Sequence, residues 1–133
     1  MILLDTHLLL WLDRDDASLG VHARSVIAQA WEAGCLAVSA ISFRAGALLG
    51  QRGRIALGRS ASQWRSDWLE AGLRELPLDG ATALLGAALK DVHADPADRF
   101  ITATALRHRA CLLTADRLLL AWPGTLQRTP DDT

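Results

Sequence analysis

Cysteine is scarce in this chain: only Cys35 and Cys111 occur among 133 residues. Neither has a second cysteine or a histidine at zinc-ligand spacing, so a disulfide framework and a structural zinc site are not expected. Each thiol sits in an apolar stretch that reads as a buried strand, which predicts inert core groups. Lysine is scarcer still, with Lys90 the only one. The formal net charge of −1 excludes a basic field able to hold a long nucleic acid by bulk electrostatics, so any such contact must be local. The first residues lack a basic stretch followed by a long apolar run and a small-residue cleavage site, and no apolar run approaches the ~18 residues of a membrane span. A cytoplasmic protein without membrane contact is expected. Repeats, linkers and low-complexity tracts are also missing, and only residues 129–133 read as a loose tail.

What is present is apolar substance. Half of the residues are hydrophobic, enough for one domain spanning residues 1–133 with a sizeable core and no room for a second. The positive charges are nearly all arginine. Arg52, Arg54, Arg59 and Arg65 lie close together in sequence, and their forked guanidinium groups suit phosphate or carboxylate partners. A solvated face with scattered ion pairs is the competing explanation.

Apolar runs separated by helical periodicity organise the chain. Met1 to Leu4 predicts a strand, and Thr6 is placed to cap a helix carrying Leu8, Leu9, Trp11 and Leu12, with a polar turn at Asp13–Asp16. Ser18 to Ala33 predicts an amphipathic helix stopped by Gly34, and Leu36 to Val38 a second strand. Ser39 or Ser42 can cap the next helix, which Gly50 and Gly53 break. Ser60 to Gly72 is helical with Trp64 and Trp68 four residues apart, a pair that suits packing better than base stacking. Leu76–Leu78 predicts a strand, Ala81–Val92 a helix, Pro96 to about His108 another helix behind the cap Asp95, and Cys111–Thr114 the fourth strand. A short helix starts at Asp116 and ends before Pro123. Strands alternating with helices predict an α/β fold with a parallel sheet covered on both faces.

Three carboxylates then stand out. Asp5 ends the first strand and Asp116 follows the fourth, at the carboxyl edge where open parallel sheets gather ligands. Asp98 falls in the first turn of its helix, where backbone N–H groups favour negative charge. Each also has a purely structural account: Asp5 as a turn residue, Asp95 with Asp98 as a capping pair, Asp116 as a helix cap. Taken together, three carboxylates about 5 Å apart would repel by roughly 3 kcal/mol per pair at an effective dielectric near 20. A divalent cation relieves that repulsion, and all-oxygen ligation points to magnesium or manganese. The implied chemistry is phosphodiester hydrolysis by metal-activated water. His7 and His93 are the nearby candidates for a general base, although the metal can generate the nucleophile unaided.

Met1-Ile2-Leu3-Leu4-Asp5-Thr6-His7, Val38-Ser39-Ala40-Ile41-Ser42-Phe43, Asp95-Pro96-Ala97-Asp98-Arg99-Phe100-Ile101 and Thr114-Ala115-Asp116 resemble the PIN-domain nucleases, specifically the VapC-type toxins, over nearly the whole chain. The resemblance implies a three-layer α/β/α sandwich with a central parallel sheet, a Mg2+- or Mn2+-dependent endoribonuclease acting on RNA, and a cognate antitoxin as partner. It assigns Asp5, Asp98 and Asp116 to the family's acidic positions, with Thr6 and Thr114 as polar supports and Arg99 directly after Asp98. It also implies that an antitoxin lays an amphipathic helix into a groove and sends a charged side chain into the site.

One acid of that pattern is missing. The family usually places a glutamate in the helix after the second strand, and Ala45 stands at that position. Loss of such a ligand or outer-shell anchor commonly costs about 10- to 100-fold in metal affinity or activity. A catalytically disabled binding module, acting through dimer or antitoxin contacts, is therefore the alternative function. Gly46 beside it costs about 1 kcal/mol in a helix relative to alanine and suggests close helix packing. A haloacid-dehalogenase-type phosphotransferase would need an aspartate where His7 stands. A response-regulator receiver would need a lysine after a late strand, whereas Lys90 falls in a predicted helix. Five tryptophans in a small domain add the expectation of a homodimer formed through the tryptophan- and leucine-rich helices.

Overall fold

The computed structural model describes residues 1–90, 92 and 95–121, together with the backbone of 127–130. The elements run β1 (Ile2–Leu4), α1 (Thr6–Arg14), α2 (Val21–Glu32), β2 (Leu36–Ser39), α3 (Ala40–Gln51), α4 (Ala61–Ala71), β3 (Arg74–Leu76), α5 (Gly80–Ala88), α6 (Pro96–His108), β4 (Cys111–Thr114), α7 (Arg117–Ala121) and β5 (Gln127–Pro130). The strands form one five-stranded sheet in the order β3-β2-β1-β4-β5, and every pairing is parallel.

The strand period of two divides the core. Leu3 and Leu4 are both fully buried, yet they join different clusters on opposite faces of the sheet. Leu36 and Val38 likewise join one cluster and Ala37 the other, as do Leu113 and Leu112. One face is covered by α1 to α4 through Leu8, Ile27, Phe43 and Trp64. The other is covered by α6 and α7 through Ile101, Ala105 and Leu119. This is the expected α/β/α sandwich, and continuous apolar strands such as Leu36-Ala37-Val38 are what a sheet buried on both faces demands.

Local differences from the sequence expectations have physical causes. Asp5, not Thr6, caps α1: its Oδ1 accepts from the Thr6 amide at 2.8 Å. Helix α1 continues to Arg14, and the turn is carried by Asp15 at φ 50° and Asp16. Residues 16–19 are held as a turn, because the Asp16 side chain accepts from the Ser18 amide and the Asp16 carbonyl from the Leu19 amide and Arg24 Nη2. Helix α2 therefore starts at Val21 rather than Ser18. Strand β3 lies two residues earlier than expected and stops at Leu76, before Pro77, which has no N–H to add to the ladder. Helix α5 stops at Ala88, with Leu89 extended, short of the expected Val92. Thr129 and Pro130, expected in a loose tail, belong to β5 and pair with Leu113 and Thr114, while residues 131–133 lie outside the described residues. Cys35 and Cys111 are half-buried thiols rather than fully buried ones.

Gly46 is explained by packing. A Cβ built there would lie 2.5 Å from Trp64 Cη2 and 2.8 Å from Cζ3. Trp64 is fully buried and meets Phe43 edge to face with centroids 5.4 Å apart, so its ring has no room to retreat. The missing side chain is what lets α4 approach α3. Gly46→Ala is expected to destabilise the fold by about 1–3 kcal/mol through overpacking, exceeding the gain of about 1 kcal/mol in helix propensity. Urea denaturation measures this, and a Trp64→Leu background should remove most of the penalty; an equally large loss in both backgrounds would disprove the contact's role.

Candidate active site

The strand order places the crevice. The chain moves outward from β1 to β2 and β3, then returns to β4 on the other side of β1, so strand order reverses between β1 and β4. Ligands of open parallel sheets bind outside the carboxyl ends at such a point. Asp5 immediately follows β1, its amide donating to the Leu113 carbonyl at 3.0 Å. Asp116 follows β4 by two residues.

A cleft of about 700 Å3 opens there, lined by Asp5, Thr6 and His7 from the start of α1, Asp95 to Asp98 and Phe100 from α6, Asp116, and Ile41, Arg44, Ala45, Leu48, Leu49 and Arg52 from α3. All three candidate aspartates and the Ala45 position thus share one cleft. Among the described residues no three Asp, Glu, His or Cys side chains form a ready-made metal-ligand group, so the carboxylates line the cleft without already closing into a cage.

Helix starts hold each acid. Asp5 caps α1, Asp116 Oδ1 accepts from the Leu118 amide at 2.8 Å, and Asp98 sits in the first turn of α6 behind the cap Asp95, whose Oδ1 accepts from the Asp98 amide at 3.2 Å. Backbone N–H groups at helix N-termini favour negative charge, which offsets part of the mutual repulsion. The structural and functional accounts of these residues are therefore compatible.

Thr114 joins two of the acids. Its hydroxyl accepts from the Asp116 amide at 3.0 Å and donates to Asp5 Oδ2 at 2.6 Å. Since the amide can only donate, the hydroxyl proton is directed at Asp5. Thr6 Oγ1 lies 3.0 Å from Ser42 Oγ, and Ser42 is fully buried, so a side chain weighed only as a helix cap is instead a buried link between α1 and α3. The cap of α3 is Ser39. Asp5 is 4% exposed. Burial pushes its carboxyl pKa up, the Thr114 hydroxyl, the Thr6 amide and nearby His7 pull it back, and Asp116 adds a smaller upward push.

Arg99 stands apart from the cleft. Its Nη1 donates to the Val92 carbonyl and its Nη2 to the Leu89 carbonyl, both at 2.8 Å. It clasps the segment leaving α5, where Leu89 is already extended. His7 lines the cleft and packs against Trp11 with ring centroids 6.2 Å apart; His93 lies outside the described residues. Of the arginine cluster, Arg59 pairs with Asp13 and Asp67, and Arg65 with Glu75, so ion pairing accounts for these two. Arg52 reaches the cleft, as does Arg44, which the sequence reading passed over. The available signal was their four-residue ladder with Leu48.

Comparison with known proteins gives the family and the fold. The PIN domain profile matches residues 2–121, and the chain belongs to the PIN-domain family. Ribonuclease VapC22 of Mycobacterium tuberculosis is 35% identical over 119 residues, covering 89% of this chain and 88% of that protein. The fold is similar to that in DNA-bound VapBC from Salmonella typhimurium, with TM-score 0.71, 18% identity and coverage of 98% of this chain and 97% of that one. It is also similar to VapBC2 from Rickettsia felis bound to a promoter DNA fragment, with TM-score 0.69, 16% identity and 98% coverage of both chains.

The burial of Asp5 has a measurable consequence. Its folded pKa lies above the ordinary carboxylate value, so the penalty for ionising it in the folded state is absent below about pH 4, grows as pH rises from there to the folded pKa, and is complete above it. In chelator, Asp5→Asn is therefore expected to melt higher than the native chain at neutral pH, by about 4 °C for each ~1 kcal/mol recovered. The gap should shrink toward zero near pH 4. A gap independent of pH in thermal melts would show that Asp5 carries no such penalty.

Proposed function

We propose that this chain is a VapC-type endoribonuclease toxin that hydrolyses RNA phosphodiester bonds with Mg2+ or Mn2+ and is neutralised by a cognate antitoxin. The observation that carries the reading is the convergence of Asp5, Asp98 and Asp116, from three separate segments, on one cleft at the reversal of strand order. The name of its relative Ribonuclease VapC22 and the toxin–antitoxin complexes among its structural neighbours support it.

The donor set fits a hard divalent cation: three carboxylates in one cleft, with Asp5 hydrogen-bonded, among the described residues, to a threonine amide and a threonine hydroxyl. Asp5, Asp98 and Asp116 would hold the ion. When bound it supplies Lewis acidity toward a phosphodiester and activation of water. The chain's own residues do the rest. Thr114 orients Asp5 and fixes the backbone of Asp116, and Thr6 with Ser42 braces the start of α1. Arg99 has an indirect part, tying the approach to α6 to the end of α5. His7, at the cleft, is placed to accept or deliver a proton.

Residues 1–133 are proposed to act as one domain, in the cytoplasm where its RNA substrate is found; among the described residues no helix is long and apolar enough to cross a membrane. A homodimer would use Trp31, which remains 36% exposed, since Trp64 is spent on the core.

A disabled binding module is the second reading, favoured by Ala45 in the cleft wall. Metal-dependent cleavage of a mixed RNA pool separates the two, comparing the native chain, Ala45→Glu and Asp5→Ala as the blank. The expected result is no cleavage by Asp5→Ala and about 10- to 100-fold more by Ala45→Glu than by the native chain. Absence of cleavage by all three with either metal would overturn the nuclease reading in favour of the binding module.

A further inference from the structure

Two rows of side chains run along the cleft face of α3. Ile41, Ala45 and Leu49 form an apolar row, and Arg44, Leu48 and Arg52 a second row four residues apart. Residues at this spacing stack on one face of a helix. Arg44 and Arg52 are both exposed, and neither guanidinium has a hydrogen-bond or ion-pair partner among the described residues. The contrast with Arg24, Arg59, Arg65 and Arg107, each paired with a carboxylate, is direct. The cleft is therefore bipolar, with aspartates contributed by the sheet edge and α6, and uncommitted guanidinium groups contributed by α3.

We propose that Arg44 and Arg52 bind the backbone phosphates flanking the bond to be cut in a single-stranded RNA. The inference rests on the nuclease reading and gives the substrate a direction across the site. Eight residues of helix separate the two arginines, a rise of about 12 Å, which exceeds one phosphodiester step along a strand. They therefore engage different phosphates. Leu48 between them offers an apolar surface for a sugar or base edge. The net charge of −1 leaves no general field to do this work, so these local contacts carry the backbone affinity. Arginine suits the task because its planar fork meets two phosphate oxygens at once.

The test is the salt dependence of binding to a short fluorescein-labelled oligouridylate, read by anisotropy in chelator so that no cleavage is required. Each phosphate neutralised on a single strand contributes about 0.7 to the slope of log K against log salt. The double variant Arg44→Gln/Arg52→Gln is expected to bind more weakly, with the slope reduced by about 1.4. Arg44→Lys/Arg52→Lys should keep most of the slope, and Arg54→Gln, outside the cleft, should match the native chain. All are surface changes, and unchanged thermal melts will show that the fold is intact. A slope unaltered in the Gln double variant overturns the inference. So does an unaltered RNA slope accompanied by lost binding of polyglutamate, which would assign the two arginines to an acidic polypeptide. Cleavage by the native chain or Ala45→Glu in Mn2+ reports separately on the nuclease reading, so the two failures are distinguishable.

Discussion

The hydrogen bond from the Thr114 hydroxyl to Asp5 Oδ2, 2.6 Å long and buried, is the contact on which the cleft depends. It joins the ends of neighbouring strands β1 and β4, where strand order reverses, with a carboxyl oxygen as its acceptor. Whenever that carboxyl is ionised the bond is of the stronger kind, about 1.5–3 kcal/mol. Its direction is enforced by the Asp116 amide, which occupies the hydroxyl as a donor. One threonine thereby positions one candidate acid by its side chain and a second by its backbone. Without it, Asp5 would lose its strongest compensation for burial, and the backbone carrying Asp116 would lose its tie to β1.

Much of this arrangement is readable in the sequence because the signals are local. Asp95-Pro96 marks a cap and a first helical residue, and α6 spans Pro96–His108, as those residues and the following periodicity predict. Asp5 and Asp116 are assignable to one sheet edge because each comes within two residues of the end of an apolar strand in a βαβ pattern. What escaped depends on contacts distant in sequence or on weak local signals. β5 is an edge strand of mainly polar residues, Gln127-Arg128-Thr129-Pro130, with no apolar run to announce it. Arg99 sits beside a candidate acid in sequence but donates to the Val92 and Leu89 carbonyls and does not line the cleft. Adjacency in a helix does not mean a shared direction, since successive residues point about 100° apart.

The position of α3 is settled by packing far from the carboxylates. Gly46 admits the Trp64 ring from α4, and Phe43 closes on that ring from the neighbouring turn. The indole N–H of Trp64 has no hydrogen-bond partner among the described residues, a cost of about 1–3 kcal/mol that the contact's apolar burial must exceed. A glycine that looks unfavourable by helix propensity is thus what lets α4 pack closely behind the helix that carries the cleft's apolar and arginine wall.

The absence of a carboxylate at Ala45 changes that wall's electrostatics as well as its ligand count. A glutamate there would project from the Ile41–Leu49 row, not from the row of Arg44 and Arg52, and would add negative charge to a cleft that already holds three aspartates. With alanine, the acids remain on the sheet and α6 side, while both arginines on the α3 side keep their charge for a ligand. That separation of sign is what the proposed RNA substrate would exploit, with one phosphate toward the acidic wall and its neighbours toward the arginines. On that reading, restoring the glutamate would strengthen the acidic wall's hold on a cation while adding repulsion against the backbone phosphates beside it.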